Sequence, residues 1–134
     1  MDPDRAMNPV RFSVVPGRWA IARVSPDAPM PMWAFAADGF VSITRTADEL
    51  SVVCPESVVP RGVQVEPGWA LLKLLGPFPF DEVGVLASVA SPLAAAGISL
   101  FALSTFDTDY VLVKEARLPS ASEALVFAGH ELIP

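Results

Sequence analysis

The chain has 134 residues, of which 52% are hydrophobic, and it carries a formal net charge of −6. This length is typical of one domain or two very small ones, and the apolar content is sufficient for a real core. The nine basic residues are scattered rather than clustered. The acidic balance therefore argues against nucleic-acid binding, which requires grouped lysine and arginine to contact phosphates.

One uncharged run, residues 83–106, is long enough to suggest a membrane span. Pro92 and Gly97 interrupt it, so we expect a buried helix followed by a central strand, and no membrane association. The first twelve residues lack the basic start and apolar run of a signal peptide. The single cysteine, Cys54, excludes an intrachain disulfide and suits a reducing compartment. We therefore expect a cytoplasmic protein.

The chain contains two copies of a strand–helix–strand–strand pattern. Three pairs of segments are similar, namely 19–24 with 69–74, 39–43 with 97–101, and 49–53 with 109–113. In this alignment the turn between the second and third segments is two residues shorter in the first copy. This repeat predicts an α+β fold of two tandem units with antiparallel sheets, the first unit degenerate. We expect a flexible N-terminus over 1–9, a first unit over 10–62 and a second over 63–134.

The helices of the two copies differ in quality. Three prolines between positions 26 and 31 leave the first copy only a short helix near 32–37. In the second copy Asp81 is the expected N-cap, and Val83, Leu86, Ala90 and Leu93 fall on one face. Gly97 suits the left-handed conformation that ends a helix.

A second helix is expected over 119–128, where Ser120 and Glu123 form a capping-box pattern. Residues 130–133 then form a short last strand. The only histidine, His130, lies here, and we expect it at the surface or at a sheet edge.

Three segments of the second copy resemble the ACT domain, a small βαββαβ module of ferredoxin-like topology that binds amino acids and other metabolites. They are Gly76-Pro77-Phe78 with Phe80-Asp81-Glu82-x-Gly84-Val85-Leu86, Pro92-Leu93-Ala94-x-Ala96-Gly97-Ile98-Ser99, and Ser104-Thr105-Phe106-x-Thr108-Asp109-Tyr110-Val111-Leu112-Val113. The resemblance covers roughly residues 66–118 and is closer to the branch that contains small bacterial ACT proteins and mammalian cytosolic arginine sensors. It implies a regulatory role that depends on a bound metabolite.

Asp109 is the first candidate ligand-binding residue. In the arginine sensors an aspartate in the matching segment receives the ligand's cationic or amino group, and a charge-assisted hydrogen bond is the physical reason. The resemblance also implies that Ser104, Thr105 and Phe106 line the site. The alternative reading is a plain β-turn, since Asp107 and its neighbours favour turns through local hydrogen bonds.

The loop that precedes the first helix of the second copy is the other candidate. Glu82, Gly84, Val85 and Leu86 lie here, and backbone N–H groups at a helix start can bind a carboxylate. The alternative is that Gly84 only allows the helix to pack closely on the sheet.

The sequence shows no paired acid and base, no activated nucleophile and no metal-ligand spacing. We therefore expect no enzyme, no catalytic residue, no metal and no cofactor. The prediction is a regulatory module that binds a small molecule of the amino-acid class and forms a homodimer, with an unknown protein partner left open. In the first copy the matching positions read Val24-Ser25-Pro26 and Arg45-Thr46-Ala47, so its site is expected to be lost. The alternative is a protein–protein assembly module without a ligand.

Overall fold

The computed structural model describes residues 9–75 and 84–134. Candidate residue Glu82, the expected N-cap Asp81, and the expected flexible N-terminus apart from Pro9 lie outside these ranges. The chain forms two compact units: a small unit of residues 17–69, and a large unit of residues 70–134 together with the N-terminal residues up to 16. Strands β1 (Arg11–Val24) and β4 (Gln64–Leu74) each begin in one unit and end in the other.

The small unit orders its strands β2-β3-β1-β4, where β2 is Ser42–Arg45 and β3 is Leu50–Pro55. Both β2 and β1 pair with β3 in the antiparallel direction. The short helix expected near 32–37 is a 3-10 helix over Met32–Phe35. The three preceding prolines disfavour an extension of this helix toward the N-terminus, because proline lacks an N–H group and restricts the residue before it.

The large unit orders its strands β1-β4-β6-β5, where β5 is Phe101–Ser104 and β6 is Asp109–Lys114. The expected short last strand is confirmed as β7 (Glu131–Leu132), which pairs with β1 in the parallel direction. The expectation of a central strand after the uncharged helix is wrong, because β5 lies at the end of the strand order. The architecture is α+β, with antiparallel pairing between β5 and β6.

Helix α1 (Val85–Ala95) begins later than the sequence predicted. Its N-cap is Gly84 in the left-handed conformation, at φ 89°, so Asp81 is not the cap. The buried face consists of Val85, Val89 and Leu93, at a spacing of four residues. No helix in the described part of the chain is long and apolar enough to span a membrane.

Both helices of the large unit end in the same way. At α1, Gly97 adopts φ 72°, its N–H donates to the Ala94 carbonyl, and the next N–H donates to the Leu93 carbonyl at 2.9 Å. At α2 (Leu118–Phe127), Gly129 adopts φ 106° and its N–H donates to the Val126 carbonyl. The His130 N–H then donates to the Leu125 carbonyl at 3.0 Å. These are Schellman caps, so the prediction that Gly97 ends a helix is confirmed.

The expected capping box of α2 is wrong. The helix begins at Leu118 with Arg117 as N-cap and without a side-chain hydrogen bond, so Ser120 already lies in its first turn. A 3-10 turn over Glu115–Arg117 leads directly into the helix and moves its start toward the N-terminus.

One apolar cluster fills the space between the two helices and the sheet of the large unit. Helix α1 contributes its buried face, helix α2 contributes Ala121 and Leu125, and the strands contribute Phe12, Ala70, Leu72, Leu74, Val111 and Val113. Both helices therefore cover the same face of the sheet.

Adjacent residues on α2 test this packing. Replacing Leu125, which is fully buried, with alanine should lower the free energy of unfolding by about 2–5 kcal/mol through lost burial and a residual cavity. The matched change Val126→Ala, at a side chain 50% exposed, should stay within about 0.5 kcal/mol. Urea unfolding measures both, and equal costs would contradict the assigned orientation of α2.

Cys54 gives a second test, in the small unit. The side chain is buried in β3, and burial raises the pKa of the thiol from 9.0 to about 11. Above pH 9 the unfolded chain loses this proton first, so the free energy of unfolding should fall between pH 9 and pH 11, by at most about 1.4 kcal/mol per pH unit. Denaturant titrations at several pH values measure this. Between pH 9 and pH 11 the free energy of unfolding should fall more steeply with pH in the native chain than in Cys54→Ala, and parallel curves would contradict the raised pKa.

Candidate ligand-binding site

The β5–β6 hairpin brings together four of the predicted site residues. Ser104 and Asp109 are a cross-strand pair at the end of the ladder. The turn between them is closed by Thr105, whose N–H and hydroxyl both donate to the Thr108 carbonyl, at 2.8 and 3.0 Å. Threonine supports this turn because its hydroxyl adds a second donor to the same carbonyl.

The Asp109 carboxylate is oriented by its neighbour across the ladder. The Ser104 hydroxyl donates to Asp109 Oδ1 at 2.5 Å, the short distance expected of a charge-assisted bond. Within the described residues, Oδ2 has neither a hydrogen bond nor an ion pair. The hairpin therefore presents a partly buried carboxylate with one fixed oxygen and one that can accept a hydrogen bond from a cation.

Phe106 stands at the tip of the same turn and is 75% exposed. An aromatic ring this exposed contributes little to folding, because most of its apolar surface remains in water. Ser104, Thr105 and Asp107 are exposed as well. The turn thus combines a carboxylate, hydroxyl groups and an aromatic face on its solvent side.

The second group of predicted site residues lies at the start of α1. The first helical bond runs from the Ser88 N–H to the Gly84 carbonyl at 2.9 Å, so the N–H groups of Val85 and Leu86 have no acceptor inside the helix. The Val85 side chain is buried, which leaves only its backbone for a ligand. In the described part of the chain no hydrogen bond joins this group to the hairpin.

The small unit contains a second hairpin of the same construction. Arg45 and Leu50 form its last cross-strand pair, and the Thr46 N–H donates to the Glu49 carbonyl at 2.8 Å. The two turns have equal length, so the expectation of a turn two residues shorter in the first copy is wrong. In this register the fully buried Leu50 stands where the large unit has Asp109.

His130 is the residue whose place the sequence reasoning missed. It was expected at the surface or at a sheet edge; it directly precedes the short strand β7, but its side chain is buried, at 3% exposure. The Val10 N–H donates to its Nδ1 at 3.0 Å, and its Nε2 lies 2.7 Å from the Ser88 carbonyl oxygen. Both partners are distant in sequence, so only Gly129, which marks a helix end just before it, could have pointed to a buried position.

The described residues contain no group of three or more histidine, cysteine, aspartate or glutamate side chains arranged to hold a metal ion. Burial raises the pKa of the Cys54 thiol to about 11, which disfavours the thiolate that a nucleophilic cysteine requires.

Comparison with known proteins agrees with this architecture. A family model described as the ACT domain matches residues 64–126, and a second model, described as an N-terminal domain, matches residues 17–62. Subunit 1 of the cytosolic arginine sensor for mTORC1 from Bos taurus is 34% identical over 116 residues, which is 85% of this chain but 35% of that protein. The chain thus spans about a third of the length of the curated relatives it matches.

Solved structures show the same fold. The crystal structure of a protein from Agrobacterium tumefaciens has a TM-score of 0.88 at 45% identity, and the match covers 94% of this chain and 93% of that one. The ligand-free regulatory subunit of aspartate kinase from Thermus thermophilus has a TM-score of 0.63 at 12% identity, with 92% and 99% coverage, which supports the fold alone. From the family-model match and these relatives, the chain belongs to the ACT-domain family.

Proposed function

We propose that this chain is a non-catalytic regulatory module that binds a free amino acid in its large unit, and that its small unit is a degenerate tandem copy. The ACT-domain match and the relatives named as cytosolic arginine sensors support an amino-acid ligand. Because the chain spans only a third of those relatives, the partners of the whole sensor are not carried over.

The observation that carries the proposal is the Asp109 carboxylate. A plain β-turn requires no acid at the first residue of the following strand, and the equivalent hairpin is closed with Leu50 there. Ser104 fixes one oxygen of Asp109 and leaves the other for a cation. An ammonium group, which every amino acid carries, is the matching ligand chemistry.

The N–H groups at the start of α1 suit the other end of an amino acid. They carry partial positive charge and bind carboxylates. A crossover helix returns the chain so that β4 and β5 run in the same direction. This topology supports the proposal, because strands that run in the same direction place the start of α1 and the β5–β6 turn at the same end of the sheet.

Ligand binding regulates a protein when the ligand prefers one arrangement of the chain over another. A ligand that bridges the hairpin and the start of α1 would favour arrangements in which these two segments are close. We propose that this preference is read by a second copy of the chain or by a separate protein in the cytoplasm, where the named sensors act.

A second candidate function is a protein–protein assembly module that needs no ligand. Three large apolar side chains in and beside the 3-10 helix of the small unit favour it, since Met30, Met32 and Phe35 are each 48–65% exposed. Exposed methionine and aromatic side chains are typical of adaptable binding surfaces.

A thermal-shift experiment separates the two functions. The native chain, Asp109→Asn and Asp107→Asn are heated with each of the twenty amino acids, arginine first. A ligand at 100 times its Kd should stabilise the native chain by about 2.7 kcal/mol. The Asp109→Asn variant keeps an acceptor for Ser104 but loses the charge, so the shift should disappear.

Asp107→Asn is the matched control, because it removes the same charge from an exposed position in the same turn. It should retain the full shift. Loss of the shift in both variants would assign the effect to net charge rather than to Asp109. A native chain that responds to no amino acid would overturn the proposed ligand and favour the assembly module.

The two hairpins also predict stoichiometry. Since the small unit buries Leu50 where the large unit presents Asp109, calorimetric titration should give one ligand per chain. A value of two would show that the small unit binds without this carboxylate and would contradict the assigned role of Asp109.

A further inference from the structure

The Schellman cap of α2 buries an unusual residue. In this cap the residue after the glycine packs its side chain on the last turn of the helix and is normally apolar. Helix α1 follows the rule with Ile98, which is 4% exposed. Helix α2 places His130 in the equivalent position at 3% exposure, where an aliphatic side chain would satisfy packing without a polar group to desolvate.

The hydrogen bonds of His130 fix its protonation. Because the Val10 N–H donates to Nδ1, that nitrogen acts as the acceptor and carries no proton. The neutral ring then holds its proton on Nε2, which donates to the Ser88 carbonyl at 2.7 Å. His130 thus connects the start of β1 to the first turns of α1.

The sequence of α1 explains why a side chain donates to the Ser88 carbonyl. In an α-helix it would accept from the N–H four residues later. That residue is Pro92, which lies inside α1 and has no N–H. The imidazole Nε2–H therefore takes the place of the missing helical donor.

We propose that His130 is a positioning residue for the ligand site: by replacing the N–H that Pro92 lacks, it fixes the N-terminal turn of α1 and the backbone amides of Val85 and Leu86. The ligand half of this inference rests on the proposed function. The anchoring half stands on the contacts among His130, Ser88 and Val10, all within the large unit.

Two substitutions of His130 test the two hydrogen bonds of the imidazole separately. In His130→Asn the amide oxygen reaches the place of Nδ1, so the bond from Val10 is kept and the donor to Ser88 is lost. In His130→Gln the amide nitrogen reaches the place of Nε2, so the donor to Ser88 is kept. A third substitution, Pro92→Ala, restores an N–H for the Ser88 carbonyl.

Amide hydrogen exchange followed by nuclear magnetic resonance measures the anchoring without any ligand. In His130→Asn the amides of the first turns of α1, from Val85 to Val89, should exchange faster with solvent or change their chemical shifts. In His130→Gln they should resemble those of the native chain. The same Asn change made on Pro92→Ala should have little effect there. Amides of β3 in the small unit serve as the reference.

Equal responses of the Asn and Gln variants, or an unchanged start of α1 in His130→Asn, would overturn the anchoring. A native His130 with its proton on Nδ1, read from its ring nitrogen shifts, would also overturn it.

Titration with L-arginine, and with any other amino acid found in the thermal-shift screen, measures the ligand half. The Kd should rise about tenfold in His130→Asn, as expected for one displaced hydrogen-bond donor, and less than about twofold in His130→Gln. Disturbed amides with an unchanged Kd would overturn the positioning of the ligand. A native chain that binds no amino acid would overturn the proposed function and the ligand half with it, while the exchange data still decide the anchoring.

Discussion

The large unit depends on where helix α1 lies on the sheet. The helix has no side-chain cap at its start, and Pro92 removes one of its internal hydrogen bonds. Among the described residues, Val85, Val89 and Leu93 pack against the sheet and α2. Hydrogen bonds at the Schellman cap, from Arg117 to the Ala96 carbonyl and from His130 to the Ser88 carbonyl add to this packing. Apolar packing is non-directional, so these hydrogen bonds contribute the directional constraints on the helix.

The sequence located four of the strands because their signal is local. The segments 19–24, 69–74 and 109–113 lie within β1, β4 and β6, and 49–53 overlaps β3. The segments 39–43 and 97–101 begin before β2 and β5 and only overlap them at one end. Gly97 was also readable, since few other residues adopt a positive φ without strain. The α+β class and the family resemblance both rested on these elements.

The helix starts were not readable in the same way. Asp81 and Ser120 are good N-caps in isolation, but a cap forms only where the preceding chain enters the helix at the right place. Gly84 and the 3-10 turn at Glu115–Arg117 fix those places instead. The alignment of the two copies was also wrong by one residue. Matching the acidic residues made Glu49 the equivalent of Asp109, whereas the strand pairing of the two hairpins makes Leu50 the equivalent.

His130 and Asp109 show why the candidate site was only half visible in the sequence. Asp109 lies in a local motif, and its partner Ser104 is five residues away. The partners of His130 are 42 and 120 residues away, and only the fold brings them together.

The two hairpins indicate which positions the fold leaves open to change. Both turns are closed by a threonine N–H to a carbonyl three residues later, yet one ends at a buried leucine and the other at a partly buried aspartate. The turn therefore constrains its closing bond and not the residue that begins the next strand. At His130, by contrast, the side chain itself is constrained. Its Nδ1 accepts from the Val10 N–H, and its Nε2 donates where the proline in α1 has no N–H. The residue at the position of Asp109 can thus vary while the hydrogen bonds that hold α1 in place are maintained.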